Sequence, residues 1–151
     1  MRVGFLAALL AVGFSPLLET QTYRPGEEPI EQRLRYAGLE VAETHRFFDT
    51  LVAAFTTDDR RSVAALVHYP FRTKIRGKWV VLKTPKAFLA RYQDVVTPPI
   101  SQAVKSATFA GLFANWKGVM IGNGEVWFGG FCAPGPECRH VLEIKIIAIN
   151  N

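Results

Sequence analysis

Acidic residues are missing where basic ones are densest. Between Asp59 and Asp94 there is no Asp or Glu, yet Arg60, Arg61, Arg72, Lys74, Arg76, Lys78, Lys83, Lys86 and Arg91 all fall there. The chain also lacks a polybasic tract. Its formal net charge of +5 is only mildly basic, so nucleic acid is not implied as a partner. No apolar run is long enough for a transmembrane span, which needs about 18 or more residues. No internal repeat divides the chain, and 151 residues suit one domain. With 49% hydrophobic residues, a core can form and disorder is excluded.

The longest apolar run is FLAALLAVGF at residues 5–14, preceded by Arg2 and ended by Pro16. That length suits a secretory signal and is too short to cross a bilayer. A buried N-terminal helix is the alternative. No cysteine lies nearby, so a lipid anchor is not indicated. The expected division is a signal peptide and start of a linker over 1–22, a polar linker over 23–36 that ends in helix, and a single domain over 37–151. The expected location is periplasmic or secreted.

Export changes how the two cysteines read. Cys132 and Cys138 flank a loop holding Pro134, Gly135 and Pro136 between two strand-like runs. A disulfide at this hairpin end is the natural reading in an oxidising compartment. His140 follows closely, but three ligands at this spacing fall short of the four a structural zinc takes. No metal and no cofactor are expected.

Leu39, His45, Phe48, Leu51, Val52 and Phe55 recur near helical spacing and predict an amphipathic helix over 37–56, with His45 on its apolar side. Asp58 and Asp59 read as caps for a second helix over 60–67, and Asp49 as a solvated partner of Arg46. FRTKIRGKWVVLKT predicts a hairpin turning at Gly77–Lys78, with Thr73 opposite Leu82 and Ile75 opposite Val80. Its other face carries Arg72, Lys74 and Arg76. Thr84 and Pro85 open a further helix, and another follows over 98–107. Three long strands are expected over 112–122, 125–131 and 140–150.

The stretch GVMIGNGEVWF carries the sharpest register. A turn at Asn123–Gly124 pairs Val119 with Phe128, Met120 with Trp127 and Ile121 with Val126. Extending it pairs Trp116 with Phe131. One face carries Trp116, Met120, Glu125, Trp127 and Phe131, and the other Val119, Ile121, Val126 and Phe128. Both faces are apolar, so both are covered, or one lines a cavity.

The element order α-α-β-β-α-α-β-β-β, with the strands LFANWKGVMIGNGEVWF and IKIIAIN, resembles the nuclear transport factor 2-like superfamily, the cystatin-like cone. The resemblance covers roughly residues 37–150 and implies an α+β fold, with N-terminal helices packed on a strongly curved, mostly antiparallel sheet that leaves a pocket. It also implies that an enzyme of this type would use an Asp or His base and a Tyr or second acid. The long strands hold no Asp. The pocket candidates are His45, His68, Tyr69, Tyr92, Asn115, Trp116, Glu125 and Trp127, each also readable as core, turn or rim.

Three functional classes follow. One is a non-catalytic binding protein that uses its pocket for a small apolar ligand, or its basic patch (Arg72, Lys74, Arg76) for an acidic protein partner. The second is an inhibitor or immunity protein acting on a secreted enzyme. The third is an isomerase or dehydratase-like enzyme of the ketosteroid isomerase type. The patch also reads as an ordinary solvated surface. A homodimer is compatible with all three.

Overall fold

The computed structural model describes residues 28–132 and 142–151. Six helices and six strands alternate along them: α1 (Ile30–Tyr36), α2 (Val41–Thr56), α3 (Arg60–Ala65), β1 (Phe71–Ile75), β2 (Lys78–Leu82), α4 (Pro85–Ala90), α5 (Tyr92–Val95), α6 (Pro98–Ser106), then β3 (Phe113–Asn115), β4 (Gly118–Ile121), β5 (Val126–Cys132) and β6 (Leu142–Ile149). A short 3-10 turn over Phe109–Gly111 precedes β3. The fold is α+β, with helices leading an antiparallel sheet of order β3-β4-β5-β6 and a separate ribbon β1-β2. The expected signal peptide lies outside the described residues, as does the loop that holds Cys138.

The ordered fold starts earlier than residue 37. In α1, Ile30 and Leu34 are buried, so the linker expected over 23–36 gives way to structure at its C-terminal end. The reason is a Schellman ending. Gly38, at φ +70°, lets its own N–H donate to the Arg35 carbonyl and the Leu39 N–H donate to the Leu34 carbonyl. Leu34 and Leu39, at the two ends of that motif, are both buried.

Helix α2 buries Thr44, Phe47, Phe48, Leu51, Ala54 and Phe55. This stripe is rotated from the expected one. Thr44 takes the inward place because its hydroxyl donates to the Glu40 carbonyl at 2.7 Å, and His45 faces water. Asp59 caps α3, accepting from the Ser62 N–H at 3.1 Å and the Ser62 hydroxyl at 2.7 Å. Those bonds hold its carboxyl below the usual range. Thr84 caps α4 by accepting from the Ala87 N–H.

The β1–β2 ribbon turns one residue earlier than expected, at Arg76–Gly77, where φ is +51° and +78°. Its register pairs Phe71 with Leu82, Thr73 with Val80 and Ile75 with Lys78. The shift is two residues, so each side chain keeps its face. Phe71, Thr73, Ile75 and Leu82 are buried. The Thr73 hydroxyl donates to the Ile149 carbonyl at 3.1 Å and ties the ribbon to the end of β6.

Strands β4 and β5 pair as the sequence implies, Val119 with Phe128, Met120 with Trp127 and Ile121 with Val126. Their loop is four residues, Gly122 to Glu125, with positive φ at Gly122 and Gly124. The long strand expected over 112–122 is instead a hairpin of β3 and β4, and the Trp116–Phe131 pair does not form. The Asn115 side chain accepts from the Lys117 N–H at 2.8 Å, an Asx-type turn that reverses the chain. Gly118 completes it at φ +131°, and a Cβ there would lie 2.6 Å from the Phe128 carbonyl oxygen.

One face of the sheet is core. Val119, Ile121, Val126 and Phe128 have no exposure, and the Phe128 ring lies 5.0 Å from that of Phe47 on α2. The other face, with Met120 and Trp127, is half-buried. Past α3, Val67 bridges Ile146 in parallel, with the His68 N–H donating to the Ile146 carbonyl and the Ile146 N–H to the Leu66 carbonyl.

Candidate functional site

The eight pocket candidates do not converge. His45 sits outside on α2, paired with Asp49 at 2.9 Å, with the two side chains 52% and 63% exposed. Asp49 therefore answers His45, where the sequence pointed to Arg46. The His45 ring packs 4.3 Å from Phe109. His68 lies beside β6 and is stacked on Phe131 at 3.8 Å with the rings nearly parallel.

Tyr69 and Tyr92 both pack edge-on against Phe88. The Tyr69 hydroxyl donates to the Ala64 carbonyl at 2.8 Å, and burial pushes its pKa up to about 12. Burial, with Asp58 adding to it, also pushes Tyr92 up to about 12. Both phenols are thus neutral donors at physiological pH. Tyr92 lines a shallow groove of about 410 Å³ with Asp58, Arg60, Gln93 and Ser101. The Arg60 guanidinium lies 5.1 Å over the Tyr92 ring and is paired with Asp58 at 3.1 Å, so the groove's charges answer one another.

Asn115 is committed to its turn, and Trp116 stands out from it at 77% exposure. Glu125 and Trp127 are brought together. They line a groove of about 390 Å³ with Met120, Asn123, Gly124 and Asn150. The Glu125 carboxylate also borders a groove of about 560 Å³ against α6. That carboxylate accepts from the Asn123 N–H at 2.5 Å, and Asn150 clamps the loop through the Gly124 and Glu125 carbonyls. Glu125 thereby shapes the hairpin loop, and its rim position offers no second acid or base. A fourth groove, about 430 Å³, runs along α1 beside Tyr36.

Among the described residues, no group of three or more His, Cys, Asp or Glu is placed to hold a metal ion. There is also no free cysteine among them. The pairing of Cys132 with Cys138 involves a residue outside those described. No described helix is long and apolar enough to cross a membrane.

The basic patch is a real constellation, but not with the membership the sequence gives it. Arg72 and Lys74 are exposed on β1, opposite Val81 and Trp79 on β2. The Arg72 guanidinium lies 4.4 Å and the Lys74 ammonium 5.1 Å from the Trp79 ring centre. Trp79 is 59% and Val81 53% exposed. Neither cation has a carboxylate within ion-pair distance among the described residues. Arg76 leaves the patch. Placed in the turn, it reaches Asp94 at 3.3 Å, a carboxylate shared with Arg91.

Trp79 is the site residue that sequence reasoning missed. Its signal was present: β2 reads Trp-Val-Val-Leu, apolar on both faces, so a strand with one buried face must show apolar side chains on the other. No family model, curated protein or solved structure matches the chain.

Proposed function

We propose that the protein is a secreted or periplasmic, non-catalytic binding protein of the nuclear transport factor 2-like type. Its contact surface is the outer face of β1 and β2, and its partner is acidic. The observation that carries this reading is Arg72 and Lys74, both exposed and unanswered by any described carboxylate, beside an exposed Trp79. Other cations near this face are paired, Arg60 with Asp58 and both Arg76 and Arg91 with Asp94. The element order of helices, ribbon, helices and sheet supports the superfamily assignment. An inhibitor or immunity protein acting on an acidic secreted enzyme is a narrower form of the same reading.

The non-catalytic part rests on dispersal. General acid-base chemistry needs two tuned groups within reach of one substrate. Here the candidate acids, bases and phenols lie on separate elements, and the one histidine–carboxylate contact among the described residues, His45 with Asp49, is open to solvent. A small ligand is the second reading, favoured by the groove shared by Trp127, Glu125 and Asn150.

The test is retention on immobilised polyglutamate. Arg72→Gln with Lys74→Gln should abolish retention while leaving melting unchanged, since exposed charges contribute little stability. Added salt should weaken it in the native protein. Unchanged retention by the double variant moves the contact surface elsewhere. Turnover of an enone or steroid substrate, lost in Glu125→Gln or His45→Gln, overturns the non-enzymatic reading.

A further inference from the structure

We propose that the Trp79 face of the β1–β2 ribbon seats the protein on an anionic phospholipid surface. Trp79 and Val81 enter the head-group layer, and Arg72 and Lys74 meet lipid phosphates. This names the acidic partner and rests on the reading above.

The ribbon's register holds the face in place. Its inner residues Phe71, Thr73, Ile75 and Leu82 are buried, so Arg72, Lys74, Trp79 and Val81 are held outward together and cannot rotate away. The cross-strand pairs Arg72–Val81 and Lys74–Trp79 alternate cation with apolar group in two adjacent rows. Lys83, just past β2, is exposed as well. An indole with an apolar body and one N–H donor is the side chain best suited to a water–lipid boundary. Cations beside it gain from the negative potential of an anionic leaflet.

The four grooves described above are lined by other residues. A small anion is held by walls that bury it, whereas a bilayer can meet the outer face of a two-strand ribbon directly. Arg72 and Lys74 both lie within 5.1 Å of the same ring, so one planar surface reaches all three at once.

The experiment is co-sedimentation of the full chain with phosphatidylcholine vesicles, with and without phosphatidylglycerol. Binding should need phosphatidylglycerol and weaken with salt. Arg72→Gln with Lys74→Gln should lower partition by roughly 25-fold, at about fivefold per cation. Trp79→Ala should lower it at least about tenfold by lost apolar area. Trp79→Phe keeps an apolar anchor and guards against misfolding of the alanine variant. It should still bind but lose the fluorescence quenching that brominated phosphatidylglycerol causes in the native protein.

Equal binding to neutral vesicles, unaffected by these variants, would assign attachment to another part of the chain and overturn the proposal. Retention on polyglutamate through Arg72 and Lys74, without vesicle binding, would make the partner an acidic polypeptide. The lipid inference would then fall while the basic-face reading stands. Indifference of the variants to both probes would overturn both.

Discussion

Replacing Phe128 by Ala should destabilise the protein at least as much as replacing its larger neighbour Trp127. Phe128 has no exposure and its ring meets Phe47 across the core. A phenyl side chain buries roughly 200 Å², and at about 25 cal/mol per Å² its loss costs about 4 kcal/mol once the retained methyl is discounted. That lies within the usual range of about 3–5 kcal/mol for buried Phe-to-Ala changes. Trp127 lies on the partly covered face, so roughly two-thirds or more of its ~250 Å² is protected, and its truncation should cost about 3–4 kcal/mol with no closed cavity to add to it. For a domain of this size the Phe128 variant should melt roughly 15 °C lower. Urea unfolding followed by circular dichroism measures both, with unchanged slopes confirming that the native and unfolded states compare like for like. A Phe128→Ala variant that loses less than about 2 kcal/mol, or far less than Trp127→Ala, would refute the assignment of faces along β5, and with it the claim that the inner face is solid core.

Gly118→Ala should cost several kcal/mol or leave the protein insoluble, because a Cβ would strike the Phe128 carbonyl at a φ of +131°; thermal melts of the soluble fraction check this. Asp59→Ala should lower the melting temperature near neutral pH. Because the folded carboxyl titrates below its unfolded value, its contribution is present above the unfolded pKa and fades as pH falls through the folded one; the native and variant melting curves should converge in acid. Tyr69 and Tyr92 should ionise near pH 12, so Tyr69→Phe and Tyr92→Phe should each remove one phenol from the last step of an ultraviolet titration. These raised values make stability fall as pH climbs from about 10 towards 12. Thiol titration of denatured, unreduced protein should find neither cysteine reactive.

Much of this architecture is visible in the sequence wherever alternation is strict. Val119, Ile121, Val126 and Phe128 announce one face, and their pairing followed from an Asn-Gly turn even though the loop proved longer. The ribbon slipped by two residues without moving any side chain to the wrong face, because period two forgives even shifts. What stayed hidden depends on single hydrogen bonds. Asn115 folds back on the Lys117 N–H and breaks one apparent strand into two, with Trp116 cast out at the bend. Thr44 satisfies its hydroxyl on the Glu40 carbonyl and displaces His45 from the core. The surface site was half legible. Arg72 and Lys74 declared themselves by charge, while Trp79 on the facing strand carried no charge to mark it.

The contacts at either side of the four-stranded sheet have a consequence for solubility. Strand β3 is three residues long and packs beside α1, while Leu66, Val67 and His68 occupy the backbone groups of Ile146 on β6. The Lys145 ammonium reinforces that second border by donating to the Ala65 carbonyl at 2.9 Å. An unguarded strand is a template on which another chain can add itself, and amyloid growth begins that way. Here a seven-residue helix and a three-residue clip stand guard over the two margins. Removing residues up to Gly38 would therefore do more than trim a polar leader. It would uncover β3, and the loss would show first as time-dependent thioflavin-positive assembly.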